Sequence, residues 1–235
     1  MNHAEKRLVI FDCDGVLVDS EPIALAVLAD FLGQAGVAID EEGVARRFLG
    51  RSLASVRETV RDEFGLEIDE AFLSRMRDVL YARFRAELRP IDGIPAVIAG
   101  FAAAGIDWCV ASSSQKERVE LCLRATGLID HFAPHIFSAT MVARGKPAPD
   151  LFLHAAQAMG YSPEQCLVIE DSPSGIEAAR AAGMRVIAFT GGSHTRFADY
   201  RAALDQLSPD VRFDDMADLL QFVVPARRPK DNPDA

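Results

Sequence analysis

An apolar run, Leu8-Val9-Ile10-Phe11, stops at Asp12, and Asp14 and Gly15 follow at once. Four apolar residues ending on an acid read as a short strand buried on both faces, with a carboxylate at its carboxyl end. This constrains the rest of the chain, because strands of that kind belong to parallel sheets, which place their ligands beyond the carboxyl ends of the strands. Two acids so close repel one another unless something cationic sits between them. A divalent metal and a phosphate group are the natural occupants, and a strand cap followed by an Asx-type turn is the alternative.

The segments that follow are predicted in order. Glu21-Pro22 opens a helix with proline in its first turn, and Ile23, Val27, Leu28, Phe31 and Leu32 recur near a 3.6-residue period. From Asp40 to about Leu88 every pattern is helical, with Val44 and Phe48, then Leu53, Val56, Val60 and Phe64, then Phe72 through Phe84 on successive apolar faces. This is an all-helical insert whose ends, near Val18–Ser20 and Arg89–Gly93, are the expected hinges. Beyond Gly93 helices and strands alternate: a helix over Ala96–Ala104, strands over Ile106–Ala111, His135–Ser138, Cys166–Ile169 and Val186–Phe189, and helices from Lys116, Pro149 and Ser174. Such alternation implies an α/β fold with parallel pairing.

Three further polar clusters stand where strands end, so a parallel sheet would gather them at one crevice. Ser112, with Ser113 and Ser114, leads into a helix, where a hydroxyl and free amides can cradle phosphate or where a serine simply caps the helix. Lys146 lies in Gly145-Lys146-Pro147-Ala148-Pro149-Asp150, a loop stiffened by two prolines. Beside two carboxylates it would neutralise them and hold phosphate as a point charge. Glu170-Asp171-Ser172-Pro173-Ser174-Gly175 directly follows a strand, and adjacent acids there suit a hard cation that takes oxygen ligands.

Together these stretches resemble the motifs of the haloacid dehalogenase superfamily: Asp-x-Asp-Gly-x-Leu-x-Asp-Ser, a serine after the second strand, lysine before Pro-x-Pro-Asp, and Glu-Asp-Ser-x-x-Gly-Ile. The resemblance implies a doubly wound, Rossmann-like parallel sheet over residues 1–19 and 90–225, an inserted helical cap over 20–89, and a flexible tail over 226–235. It implies Asp12 as nucleophile and Mg2+ ligand, and Asp14 as general acid and base that lends its backbone carbonyl to the metal. Asp171 then resembles the direct metal ligand, Glu170 a second ligand or its outer support, and Ser112, Ser113 and Lys146 the phosphate holders. Asp14 argues against dehalogenation, since true haloacid dehalogenases lack that second aspartate and use no metal.

The overall run resembles bacterial sugar-phosphate phosphatases such as those acting on phosphogluconate. Phosphoglucomutase relatives carry a histidine where this chain has Ala24, and phosphonatases need a cap lysine, of which there is none between Ser20 and Arg89. A mutase and a catalytically idle binding relative are the alternatives. Within the cap, Arg47 and Arg51 flank a turn at Gly50 and are candidate readers of the leaving group; paired, solvated helix charges are the other reading. Of 235 residues 49% are hydrophobic, and 25 basic against 35 acidic residues give a net charge of -10. That balance argues against nucleic acid or an anionic membrane as partner and leaves a small phosphorylated metabolite. With no signal-like or membrane-length apolar run, a cytoplasmic monomer or weak dimer is expected. Cys13, Cys109, Cys122 and Cys166 have no metal-type spacing and read as reduced thiols.

Overall fold

The computed structural model describes residues 7–49 and 53–224. Its elements in order are β1 (Leu8–Phe11), α1 (Glu21–Gln34), α2 (Glu41–Phe48), α3 (Leu53–Phe64), α4 (Glu70–Glu87), α5 (Ile94–Ala104), β2 (Asp107–Ser112), α6 (Lys116–Ala125), α7 (Ile129–Phe132), β3 (Ile136–Ser138), α8 (Asp150–Met159), β4 (Cys166–Glu170), α9 (Pro173–Ala181), β5 (Arg185–Phe189), α10 (Ala198–Gln206), β6 (Val211–Phe213) and α11 (Leu219–Val223). The six strands form one sheet in the order β3-β2-β1-β4-β5-β6, every neighbouring pair parallel.

β1 is central because it is apolar at every position, the composition a strand needs when both of its faces are covered. Its alternate side chains point to opposite faces. Val9 and Phe11 enter one core with Phe101 of α5 and Leu123 of α6, while Leu8 and Ile10 enter another with Phe152 of α8 and Ile176 of α9. Phe11 pairs with Val110 on one side and Ile169 on the other. One residue further, the chain delivers Asp12 level with Ala111 and Glu170, so the polar clusters expected at strand ends do share one edge.

The insert builds its own apolar cluster from Leu32, Val44, Val60 and Phe72. Asp40 and Asp69 cap α2 and α4 by accepting from Gly43 N and Phe72 N, which satisfies amides left free in a first helical turn. The insert also packs on the sheet layer, since Ile23, Val27, Leu80 and Phe84 belong to the core around Phe11. Its two connecting segments hold each other: Asp19 N donates to Arg89 O (3.1 Å) and Ile91 N to Leu17 O (2.9 Å).

The elements after β5 depart from the sequence reading: it names neither the edge strand β6 nor α10 and α11, and Val211-Arg212-Phe213 has too short an apolar pattern to announce a strand. The tail over 226–235 lies outside the described residues. All four cysteines are free and buried. No helix among the described residues is long and apolar enough to cross a membrane.

Candidate active site

Lys146 links the strand ends. Its side chain is 2% exposed, and Nζ donates to Asp12 Oδ1 (2.5 Å), Glu170 Oε1 (2.7 Å) and Ala111 O (3.0 Å). Burial alone would pull its pKa down, but Asp12 and Glu170 more than reverse that, and the ammonium is held charged. The Phe152 ring lies 4.8 Å beneath it, adding a cation–π contact.

Glu170 is completely buried. Its Oε2 accepts from Asp171 N (2.9 Å), Ser172 N (2.8 Å) and Ser172 Oγ (2.9 Å). Ser172 in turn caps α9 by accepting from Gly175 N, so the carboxylate is built into the strand-to-helix turn. With Oε1 on Lys146 and Oε2 on this turn, both carboxylate oxygens of Glu170 are engaged by the protein.

Asp14 reaches back from the loop after β1. Its Oδ1 accepts from Ser20 Oγ (2.6 Å) and from Arg118 Nη2 (2.9 Å), and Oδ2 accepts from Ser114 Oγ (2.8 Å). Burial pushes its pKa up, but Arg118 and the two hydroxyls outweigh burial and hold it below the ordinary value. The expected general acid is therefore held as an anion in this state. Ser114 is itself placed by Ser138, whose Oγ donates to Ser114 O (2.7 Å).

Ser112 is buried and its Oγ accepts from Ser114 N (3.0 Å). Ser113 is exposed and lines a cleft of about 470 Å³ between α1, α4 and the loop after β2. Glu21, Ala24, Arg77 and Arg118 line it as well. Glu21 is pushed up to about 7, chiefly by burial and then by Asp14. Arg47 is elsewhere: its Nε donates to Glu63 Oε2 (3.0 Å), its Nη1 to Gly43 O (3.3 Å), and its guanidinium covers the Phe64 ring. Of the two readings of Arg47, the paired helix charge is the one this geometry fits, and Arg47 is not among the residues that line the cleft. Gly50 and Arg51 lie outside the described residues.

The acids suit a divalent cation. Asp12 and Asp171 are both pushed up, first by burial and then by neighbouring carboxylates, with Lys146 and His194 offsetting only part. Positive charge is thus short at this point. At Gly15, with φ +83°, an added Cβ would overlap Asp171 Oδ2, so only glycine lets the Asp14–Gly15 backbone lie this close to the carboxylate. Among the described residues no three His, Cys, Asp or Glu side chains converge as a metal cluster. A cation here would take Asp12, Asp171 and the main-chain carbonyl of Asp14, with the substrate and water supplying the rest.

Four functional candidates escaped the sequence reading: Arg118, Glu21, Arg77 and His194. His194 is buried, with Nε2 2.8 Å from Asp171 Oδ2. The contact is at ion-pair distance without hydrogen-bond alignment, and both ring nitrogens lack a hydrogen-bond partner. Burial lowers its pKa, and Asp171 more than compensates. The available signal for Arg118 and Arg77 was a charge inside the apolar stripe of a helix.

Fold and site together define an α/β enzyme with a helical insert over the carboxyl edge of its sheet. Residues 6–183 match the family model described as haloacid dehalogenase-like hydrolase, and the chain belongs to that family. It is 31% identical over 189 residues to the 6-phosphogluconate phosphatase of Escherichia coli (strain K12), covering 80% of this chain and 84% of that protein. It is 31% identical to hexitol phosphatase A of the same organism over 79% of this chain and 84% of that one. A solved haloacid dehalogenase-like protein of unknown function from Agrobacterium tumefaciens is 38% identical with a TM-score of 0.81, covering 93% of this chain and 97% of that chain.

Proposed function

We propose that the protein is a Mg2+-dependent phosphomonoesterase acting on a small phosphorylated metabolite, a sugar or sugar-acid phosphate. The observation that carries this reading is the Lys146 ammonium seated on Asp12 at the end of the central strand, with the Asp14 and Asp171 carboxylates beside it. The phosphatase names of the relatives at 31% identity support the substrate class.

In this reading Asp12 is the nucleophile. Lys146 lowers the repulsion between its carboxylate and an incoming phosphate, and Ser112 and Ser113 offer hydroxyls to the phosphoryl oxygens. In-line attack gives an aspartyl phosphate and frees the alkoxide. Asp14, bonded to the cleft-lining Ser114 and Arg118, serves the leaving oxygen once it has gained a proton, then returns to the ionised state to take a proton from the hydrolytic water. A magnesium ion bound by Asp12, Asp171 and the Asp14 carbonyl would supply charge stabilisation to the phosphoryl group. Glu170 fixes Lys146 and the turn that carries Asp171. Residues 20–89 act as the cap over the leaving group. Positioning and charge stabilisation carry most of the acceleration, since phosphoryl transfer asks little covalent chemistry of the protein.

The test is hydrolysis of an aryl phosphate with and without chelator, by the wild type and by Asp12→Asn. Activity that needs magnesium and falls at least a thousandfold in the variant is expected, roughly 4 kcal/mol of transition-state stabilisation. Full activity in chelator, or an Asp12→Asn enzyme with a tenth of wild-type turnover, would overturn the reading.

A further inference from the structure

On α4 the positions Leu73, Arg77, Leu80, Tyr81 and Phe84 follow the three- and four-residue spacing that puts side chains on one helical face. Leu73, Leu80, Tyr81 and Phe84 are buried. Arg77 stands where the period calls for another apolar residue. It lines the cleft, is exposed, and makes no hydrogen bond or ion pair with any described residue. Among the described residues the other arginine lining the cleft, Arg118, is bonded to Asp14 at 2.9 Å, and Arg47 is paired with Glu63. In a chain with 35 acidic residues, Arg77 on the inward stripe of its helix faces the cleft without bonding to any acid among the described residues, Glu21 of the same lining included.

Resting on the phosphatase reading, we propose that Arg77 is a specificity residue that recognises an anionic group, a carboxylate or a second phosphate, on the leaving group. Its planar fork can take either anion in a bidentate fashion, which a lysine cannot reproduce. The serines of the loop after β2 would then face the phosphoryl end of the substrate and Arg77 the far end. Apolar neighbours on α4 would strengthen that contact by keeping water away from it.

The test compares wild type, Arg77→Gln and Arg77→Lys on 6-phosphogluconate, fructose 1,6-bisphosphate, sorbitol 6-phosphate and an aryl phosphate. The expected result is a wild-type preference for one of the two anionic leaving groups. Arg77→Gln should then lose about 10- to 100-fold in kcat/KM on that substrate relative to its loss on the aryl ester, mostly through KM, the scale of one charge-assisted pair. Arg77→Lys should recover part of it. Which anionic substrate suffers separates a carboxylate from a second phosphate. Equal losses on all four esters, no loss on any, or a wild type that prefers sorbitol 6-phosphate would overturn the role of Arg77 while leaving the phosphatase reading intact. A folded wild type that hydrolyses none of the four, the aryl ester included, would overturn both.

Discussion

Arg118 extends from α6 to within 2.9 Å of Asp14, joining a carboxylate of the first loop to a residue 104 positions away. The guanidinium also lies 5.3 Å from the centre of the Phe84 ring on α4. One side chain therefore ties the sheet layer, the loop after β1 and the helical insert together. Removing it leaves Asp14 with two hydroxyl donors and no cation.

Arg118→Met should lower the unfolding free energy by about 2–4 kcal/mol, somewhat under the value for a fully buried pair because both partners keep some solvent contact. Arg118→Lys should recover about half of that loss, keeping the charge but not the flat stacking surface over Phe84. Urea unfolding of the three proteins decides it. A stability for Arg118→Met within 0.5 kcal/mol of wild type, roughly the range of ordinary surface changes, would show that the pair does not hold these layers together.

Gly175 lies behind the carboxylate of Glu170, and a Cβ added there would overlap both carboxylate oxygens. Gly175→Ala should therefore push Glu170 off Lys146 and leave the ammonium and Asp12 without their third partner. The expected cost is about 2–4 kcal/mol in stability, as for overpacking combined with a broken buried polar network. Turnover should fall by more than tenfold. Unchanged stability and activity would mean that the turn after β4 yields easily and that Glu170 is not its anchor.

Glu21 provides a pH signature. Its carboxyl is raised from an ordinary value of 4.5 to about 7 by burial and by Asp14. An acid raised on folding contributes stability that is fully present below 4.5 and is lost as pH climbs through about 7. Wild type in chelator should thus lose stability across this window relative to Glu21→Gln, by about 1–2 kcal/mol once partial solvent contact is allowed for. Thermal unfolding of both proteins at pH 5 and pH 8 checks the sign. A gap that does not change between the two pH values would contradict it.

The central fold was legible because its signals are local. Leu8–Phe11, Cys109–Ala111 and Leu167–Ile169 are apolar runs that stop at polar residues, and in a parallel sheet such stops must share one edge. Lys146 could be assigned to Asp12 only through the motif resemblance, yet the result is physically simple: a buried ammonium needs anions, and two stand at that edge. What escaped depends on tertiary convergence. Arg118 interrupts the apolar stripe of its helix, but its partner is named only when α6 is laid against Asp14, and Glu21 looks like an ordinary first-turn acid until Asp14 is beside it. The two readings of Arg47 could not be separated for the opposite reason, since its partner Glu63 lies on another helix and no local spacing pairs the two. β6 is three residues at a sheet edge, too short for any periodicity to mark it.

The most direct measurement is to trap phosphate on the nucleophile. In Asp14→Asn an aryl phosphate, whose good leaving group needs no proton, should still phosphorylate the enzyme, while the loss of the base slows its release. Acid quench followed by borohydride reduces an acyl phosphate to an alcohol, and peptide mass spectrometry then reads the site. The expected result is homoserine in place of Asp12, in proportion to a rapid initial release of aryl alcohol. An initial release of that size with the Asp12 peptide unmodified would contradict the assignment of Asp12 as the nucleophile.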